Sequence, residues 1–327
     1  MGTTVSGNNQ DHVEPEGDEL HEDQQTLDEP ERPAGEQEIE DACEEHADDR
    51  GITDRQAETI DERRQRVEGI LDEELDIVES HQYGSHSRGT MTGPIDEDSD
   101  ADVMIVLSDE ERRRYMNGGD GARNVLRKVK RAIQNDPRYA NTEVSIDRNV
   151  VAIQYHDITL EVTPAFRDGS GGYHIPDTYR EGRSWVRTNP RQYKNMFEAS
   201  NAARGGRPQK LARIAKDYNN RNGKQVSSYH VEVMAYEYAR TRAKDEPMDK
   251  LVEGFFERLP SKIRQGTREP VYGDRIDRNM PRKERREAIK SSRKARKKIR
   301  RAKKLKQEGK TEEAKEEYSK VLGDEFG

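Results

Sequence analysis

At 327 residues the chain is about twice an average domain, so two packed units, or one unit with appendages, is the expectation. Only 30% of it is hydrophobic while 38% is charged, with a net charge of −8, so part of the chain cannot be core. No apolar run approaches the ~20 residues of a membrane span and no secretory pattern opens the chain. The single cysteine, Cys43, excludes a disulfide framework and a multi-cysteine zinc site. A soluble protein of the cytoplasm follows as the expectation.

Residues 1–50 carry 18 Asp/Glu against two Arg and almost no large apolar groups. Such a stretch buries too little to offset its ordering entropy and is expected to be a disordered acidic tail. Thr53 and Gln56 then stand at capping-box spacing, and Ile60, Val67, Leu71 and Val78 share one face, which predicts a long helix over 53–79. Tyr83-Gly84-Ser85 reads as a turn. The acidic stretch Asp96–Asp102 runs into Val103-Met104-Ile105-Val106-Leu107, a short β-branched run expected as a buried strand. Val125, Leu126, Val129 and Ile133 predict an amphipathic helix over 122–134. Val150–Tyr155 and Ile158–Val162 flank His156-Asp157 as a hairpin.

Beyond Pro176 the pattern turns helical. Tyr193/Met196/Phe197/Ser200, Leu211/Ile214/Ala215/Tyr218, Val231/Met234/Ala235/Tyr238 and Met248/Leu251/Val252/Phe255/Phe256/Leu259 all show helical spacing. Residues 282–310 hold 16 Lys/Arg against three Glu on a thin apolar stripe of Ala288, Ala295, Ile299 and Ala302. This reads either as a solvated helix or as a phosphate-neutralising surface for nucleic acid, though without interleaved aromatics for base stacking. The fold class is α+β, a small mixed sheet with helices followed by a helical bundle. The divisions are 1–50 (tail), 51–190 (core with the long N-terminal helix) and 191–327 (helical domain with the basic helix).

An Asp-x-Asp pair means little alone, since roughly a dozen acidic-x-acidic triplets arise by chance at this composition. Asp100 and Asp102, however, enter a strand, where alternate side chains project to one face ~6–7 Å apart. Glu161 lies on the face of its strand opposite Ile158, Leu160 and Val162. If the two strands are neighbours, three carboxylates cluster and repel unless metals neutralise them, which predicts two Mg²⁺ or Mn²⁺ ions. Upstream, Gly84-Ser85 offers backbone N–H groups and a hydroxyl suited to phosphate. The histidines are scattered without metal-ligand spacing.

This constellation resembles the polymerase-β-type nucleotidyltransferase superfamily. Ser99-Asp100-Ala101-Asp102-Val103 and Glu161-Val162-Thr163-Pro164-Ala165-Phe166 resemble segments of the 2′-5′-oligoadenylate synthetases and of the cGAS/DncV-like nucleotidyltransferases (CD-NTases). The likeness continues through Ile175-Pro176, Trp185, Asn189-Pro190, Ile214–Asn219, Ser227–Glu232 and the terminal Tyr318…Leu322-Gly323…Phe326. It runs from about residue 53 to the end and implies a polymerase-β-type core plus a C-terminal helical bundle. It implies further that Asp100, Asp102 and Glu161 are catalytic metal ligands. Gly84 and Ser85, with Lys216 and Ser228, would hold the triphosphate, and Tyr229 would stack on a nucleobase. Two positions depart from the pattern: Glu161 stands where many relatives have Asp, and Tyr318 where Trp is usual.

The resemblance implies a metal-dependent enzyme that joins ATP, GTP or other NTPs into a cyclic di- or trinucleotide second messenger, releasing pyrophosphate. It places that enzyme in antiviral CBASS signalling, with accessory and effector proteins as partners and Gly327 as a point of conjugation. Alternatives are linear 2′-5′ oligoadenylate synthesis, template-independent tailing of RNA 3′ ends, and a non-catalytic nucleic-acid-binding module using 282–310.

Overall fold

The computed structural model describes residues 32–178 and 185–327. In chain order the elements are α1 (Ala34–Asp49), α2 (Asp54–Glu74), β1 (Ile77–Tyr83), α3 (Gly84–Ser87), β2 (Asp100–Leu107), α4 (Asp109–Met116) and α5 (Gly121–Asn135). The strands β3 (Glu143–Asp147), β4 (Val150–Gln154), β5 (Thr159–Arg167), β6 (Tyr173–Pro176) and β7 (Trp185–Thr188) follow. The chain then becomes helical, through α6 (Pro190–Ala203), α7 (Arg207–Arg221), α8 (Ser228–Ala239), α9 (Met248–Gln265), α10 (Arg282–Gln307) and α11 (Thr311–Leu322).

The sheet is mixed, in the order β1-β2-β5-β4-β3, with β6 added to the far end of β5 and β7 to β6. β2 and β5 run parallel; β1–β2, β5–β4 and β4–β3 are antiparallel. Period-2 alternation decides what each face does. Ala101, Val103, Ile105 and Leu107 of β2, with Leu160 and Val162 of β5, face a core closed by α2 and α5. Met104, Val106 and Ala165 form a second, smaller cluster on the opposite face. That second face carries the carboxylates at its other end.

The capping box at the start of α2 is present: Gln56 N–H donates to Thr53 Oγ1 at 3.3 Å and Thr53 N–H to Gln56 Oε1 at 2.9 Å. The helix stops at Glu74, short of the expected residue 79, and Val78 is an exposed residue of β1. Val78 happens to fall seven residues after Leu71, but Ile77 pairs with Leu107 of β2 and Val78 sits at an irregularity in the ladder before Glu79 meets Val106. Strands β1, β3, β6 and β7 carry no expectation from the apolar pattern. They are short or lie near sheet edges, and β3 buries only Val144.

The acidic tail is corrected over its last third. Residues 1–31 lie outside the described residues, but 34–49 form a helix whose Ile39, Ala42, Cys43, His46 and Ala47 are buried. They join a core built from α7 to α11, so α1 belongs with the helical bundle even though it precedes the sheet in the chain. Its acids face outward: Glu44 takes Lys210, and Glu38 takes Lys315. Ile39→Asp is expected to cost about 3–5 kcal/mol, because it places an unpaired charge in a closed core. Urea denaturation measures this; an unchanged midpoint would mean that α1 does not contribute to the bundle.

In the basic helix α10, the expected stripe of Ala288, Ala295, Ile299 and Ala302 is buried, extended by Leu305. Lys306 is buried too, its ammonium shared between Asp249 and Glu253 of α9. Tyr318 is fully buried, donating to Glu253 at 2.8 Å and lying against Phe326. No helix among the described residues is long and apolar enough to cross a membrane.

Candidate active site

The pairing of β2 with β5 builds the centre. In the parallel register Asp102 lies beside Glu161, and Asp100 beside Thr159. Neighbouring residues on adjacent strands point to the same face, so Glu161 shares the face of Asp100 and Asp102. One oxygen from each of these carboxylates lies within 4.8 Å of the others. Asp100 is exposed, whereas Asp102 and Glu161 are partly buried.

Electrostatics make this arrangement costly without a cation. Burial, followed by the charge of Asp100, pushes the Asp102 carboxyl up to about 7. Burial, with Asp102 and Asp100 behind it, pushes Glu161 up to about 8. Three hard oxygen donors that cannot all ionise comfortably are a donor set for a divalent ion such as Mg²⁺ or Mn²⁺.

The Gly84-Ser85 turn opens α3 directly beside this cluster. Gly84 has φ +72°, and a Cβ there would meet Asp102 Oδ2 at 1.8 Å, so only glycine lets the turn approach the carboxylate. Behind the turn, Tyr83 Oη shares a 2.7 Å hydrogen bond with Thr163. The turn is anchored to the helical bundle. Gly89 carbonyl accepts from Gln209 Nε2 at 2.9 Å and Arg213 Nε at 2.8 Å, and Thr90 carbonyl accepts from Lys216 Nζ at 2.8 Å.

Two adjoining cavities meet at Ser85, Asp100, Lys216 and Ser228. The first, of about 270 Å³, is also lined by Gly84, Asp102 and the Tyr229 ring. That ring stands edge-on to Tyr193 with 5.7 Å between centroids. The second, of about 550 Å³, opens past Asp98 and Lys224. Gly84, Ser85, Lys216, Ser228 and Tyr229 are therefore gathered around the carboxylates.

Lys216 differs from its expected role in one respect. It is 3% exposed, held by Thr90 carbonyl and 3.8 Å from Glu232 Oε2, and burial lowers its pKa. It fixes the turn more directly than it meets solvent. Glu232 was not singled out in the sequence. It is wholly buried on α8, accepts from Arg88 Nε at 2.7 Å and from Thr90 Oγ1, and lies under Tyr193 Oη at 3.4 Å. A signal existed: a carboxylate between Val231 and Val233, on a helix whose neighbouring positions are all buried.

Residues 40–201 match the family described as the Second Messenger Oligonucleotide or Dinucleotide Synthetase domain. A Bacillus cereus (strain VD146) protein named "Probable cyclic nucleotide synthase" is 26% identical over 277 residues, covering 75% of this chain and 81% of that one. Among solved structures, CdnC of E. coli MS115-1 with ATP superposes with a TM-score of 0.68 at 15% identity, over 88% of this chain and 99% of its own. The Vibrio cholerae cyclic AMP-GMP synthase DncV gives a TM-score of 0.58 at 13% identity, over 89% of each chain. The domain match spans the whole sheet-bearing core, on a fold shared along most of both chains, and the protein is thus a member of the CD-NTase family of nucleotidyltransferases.

Proposed function

We propose that this protein joins nucleoside triphosphates into a cyclic di- or trinucleotide, releasing pyrophosphate, with Mg²⁺ or Mn²⁺ at the carboxylate site. The observation that carries this reading is the meeting of Asp100, Asp102 and Glu161 within 4.8 Å, beside a glycine turn that could not tolerate a side chain. Asp100, Asp102 and Glu161 would hold the ions. When bound, divalent cations lower the pKa of a ribose hydroxyl and stabilise charge on a pyrophosphate leaving group.

The rest of the work falls to positioning. The backbone N–H groups of the Gly84-Ser85 turn and the Ser228 start of α8 converge where a polyphosphate would lie. Tyr229 presents a ring to the nucleoside, and Arg88 and Glu232 hold the turn in place. A setting in antiviral CBASS signalling, with accessory and effector proteins, is proposed on family resemblance.

The test is incubation with labelled ATP and GTP in Mg²⁺ or Mn²⁺. A phosphatase-resistant product of cyclic mass is expected. A phosphatase-sensitive ladder would replace the ring with linear 2′-5′ synthesis or RNA tailing. One observation favours the tailing reading: Arg286, Arg293, Lys294 and Lys297 of α10 are exposed and make no ion pair within the described residues. Salt-sensitive RNA binding without pyrophosphate release would instead mark a non-catalytic module.

A further inference from the structure

We propose that Lys224 is a positioning residue for the terminal phosphates of the donor nucleotide, and that Asp98 holds its place until the nucleotide arrives. The inference rests on the nucleotidyl-transfer reading and names a residue within it. A triphosphate carries several negative charges beyond those that ions at the carboxylates can offset, so the cavity needs a side-chain cation.

Four cations line the larger cavity: Arg50, Lys216, Arg221 and Lys224. Three are committed. Lys216 is buried on Thr90 carbonyl and beside Glu232. Arg221 donates to Asp217 at 3.0 and 2.8 Å and to Val321 carbonyl at 2.9 Å. Arg50 is paired with Glu325. Lys224 meets only Asp98 among the described residues, Nζ to Oδ2 at 3.4 Å, with the two side chains 48% and 72% exposed. So exposed a pair contributes little and exchanges readily for a group of higher charge.

The backbone agrees. Lys224 has φ +46°, one of two non-glycine residues with positive φ among the described residues, directly after Gly223 at φ +87°. A second glycine or an asparagine would take this conformation with less strain, yet the turn carries a lysine. It stands four residues before Ser228, at the mouth of the space shared with Ser85 and Asp100. Asp98 is itself fixed by its own N–H on Asp96 Oδ1 at 3.1 Å, so the two charges face each other across that mouth.

The test compares binding of AMP and of a non-hydrolysable α,β-methylene ATP by calorimetry, alongside steady-state kinetics. Lys224→Ala is expected to weaken the ATP analogue about tenfold, leave AMP unchanged, and raise KM with kcat altered less than about threefold. Lys224→Arg should retain most of the affinity. Asp98→Asn should tighten the analogue severalfold. Lys224→Gly should relieve the backbone, raising the melting temperature, while losing affinity as alanine does. Equal effects on AMP and the ATP analogue, or wild-type affinity in Lys224→Gly, would overturn the assignment while leaving the enzyme reading intact. A wild-type protein that binds neither nucleotide and forms no product would sink both.

Discussion

Replacing Asp100 and Asp102 together by asparagine is expected to lower product formation by roughly three orders of magnitude or more, while raising the melting temperature of the metal-free protein at pH 8. Both halves follow from one geometry. The carboxylates meet because Asp102 and Glu161 are register partners on parallel strands, and the partial burial of these two limits screening by water. Asp102 and Glu161 have folded pKa values of about 7 and about 8, above the values of a free carboxylic acid. The folded state therefore binds more protons than the unfolded chain between about pH 4 and pH 8, so stability falls as pH rises through that window. Mg²⁺ added at pH 8 should restore it, and at pH 5 should do far less, because the ligands are then protonated. In the asparagine variant the pH slope and the Mg²⁺ response should both shrink sharply. A melting temperature that is flat from pH 5 to 8 and indifferent to Mg²⁺ in the wild type would remove the metal centre, whatever the activity assay gave.

What the sequence disclosed about this site, and what it withheld, divides along physical lines. Local chemistry was readable: the capping box at Thr53, the β-branched run after Asp102, the apolar face of α5, and the alternation that sets Glu161 opposite Leu160 and Val162. The pairing of β2 with β5 was not. Between them run α4, α5, β3 and β4, and no residue pattern states which strands will be neighbours after such a crossover. The carboxylate cluster could thus be framed only conditionally until the register joined Asp102 to Glu161. Helix α1 was missed for a different reason. Its buried face is Ile39, Ala42, Cys43, His46 and Ala47, a narrow stripe inside an acidic segment, and its order comes from packing on α7, α9 and α11. Composition averages such a face away. Lys216 and Glu232 show the same limit: a charged residue on a helix says nothing of burial until its partner from another element is known.

That buried network is where the second large effect lies. Glu232→Leu is expected to destabilise the protein by about 3–5 kcal/mol, a fall in melting temperature of roughly 10 °C. Burial raises the Glu232 pKa, but Arg88 above all, then Lys216 and the hydrogen bonds from Arg88 and Thr90, pull it below its ordinary value. Removing the carboxylate leaves Arg88 and Lys216 buried with no counter-charge between them, and burial already depresses Lys216. Glu232→Gln keeps acceptors for Arg88 and Thr90 and should cost less. In Arg88→Leu with Glu232→Leu, part of the stability should return, since the apolar pair removes the stranded guanidinium while Lys216 stays buried without its counter-charge. Activity should not return with it. Arg88 and Thr90 belong to the segment that carries Gly84 and Ser85, while Glu232 sits one turn into α8, whose first residue is Ser228. The ion pair therefore fixes the spacing between the two phosphate-facing elements, and an apolar pair of looser geometry cannot. Recovery of full turnover in the double variant, measured as pyrophosphate release, would show that the pair stabilises the fold without setting the site.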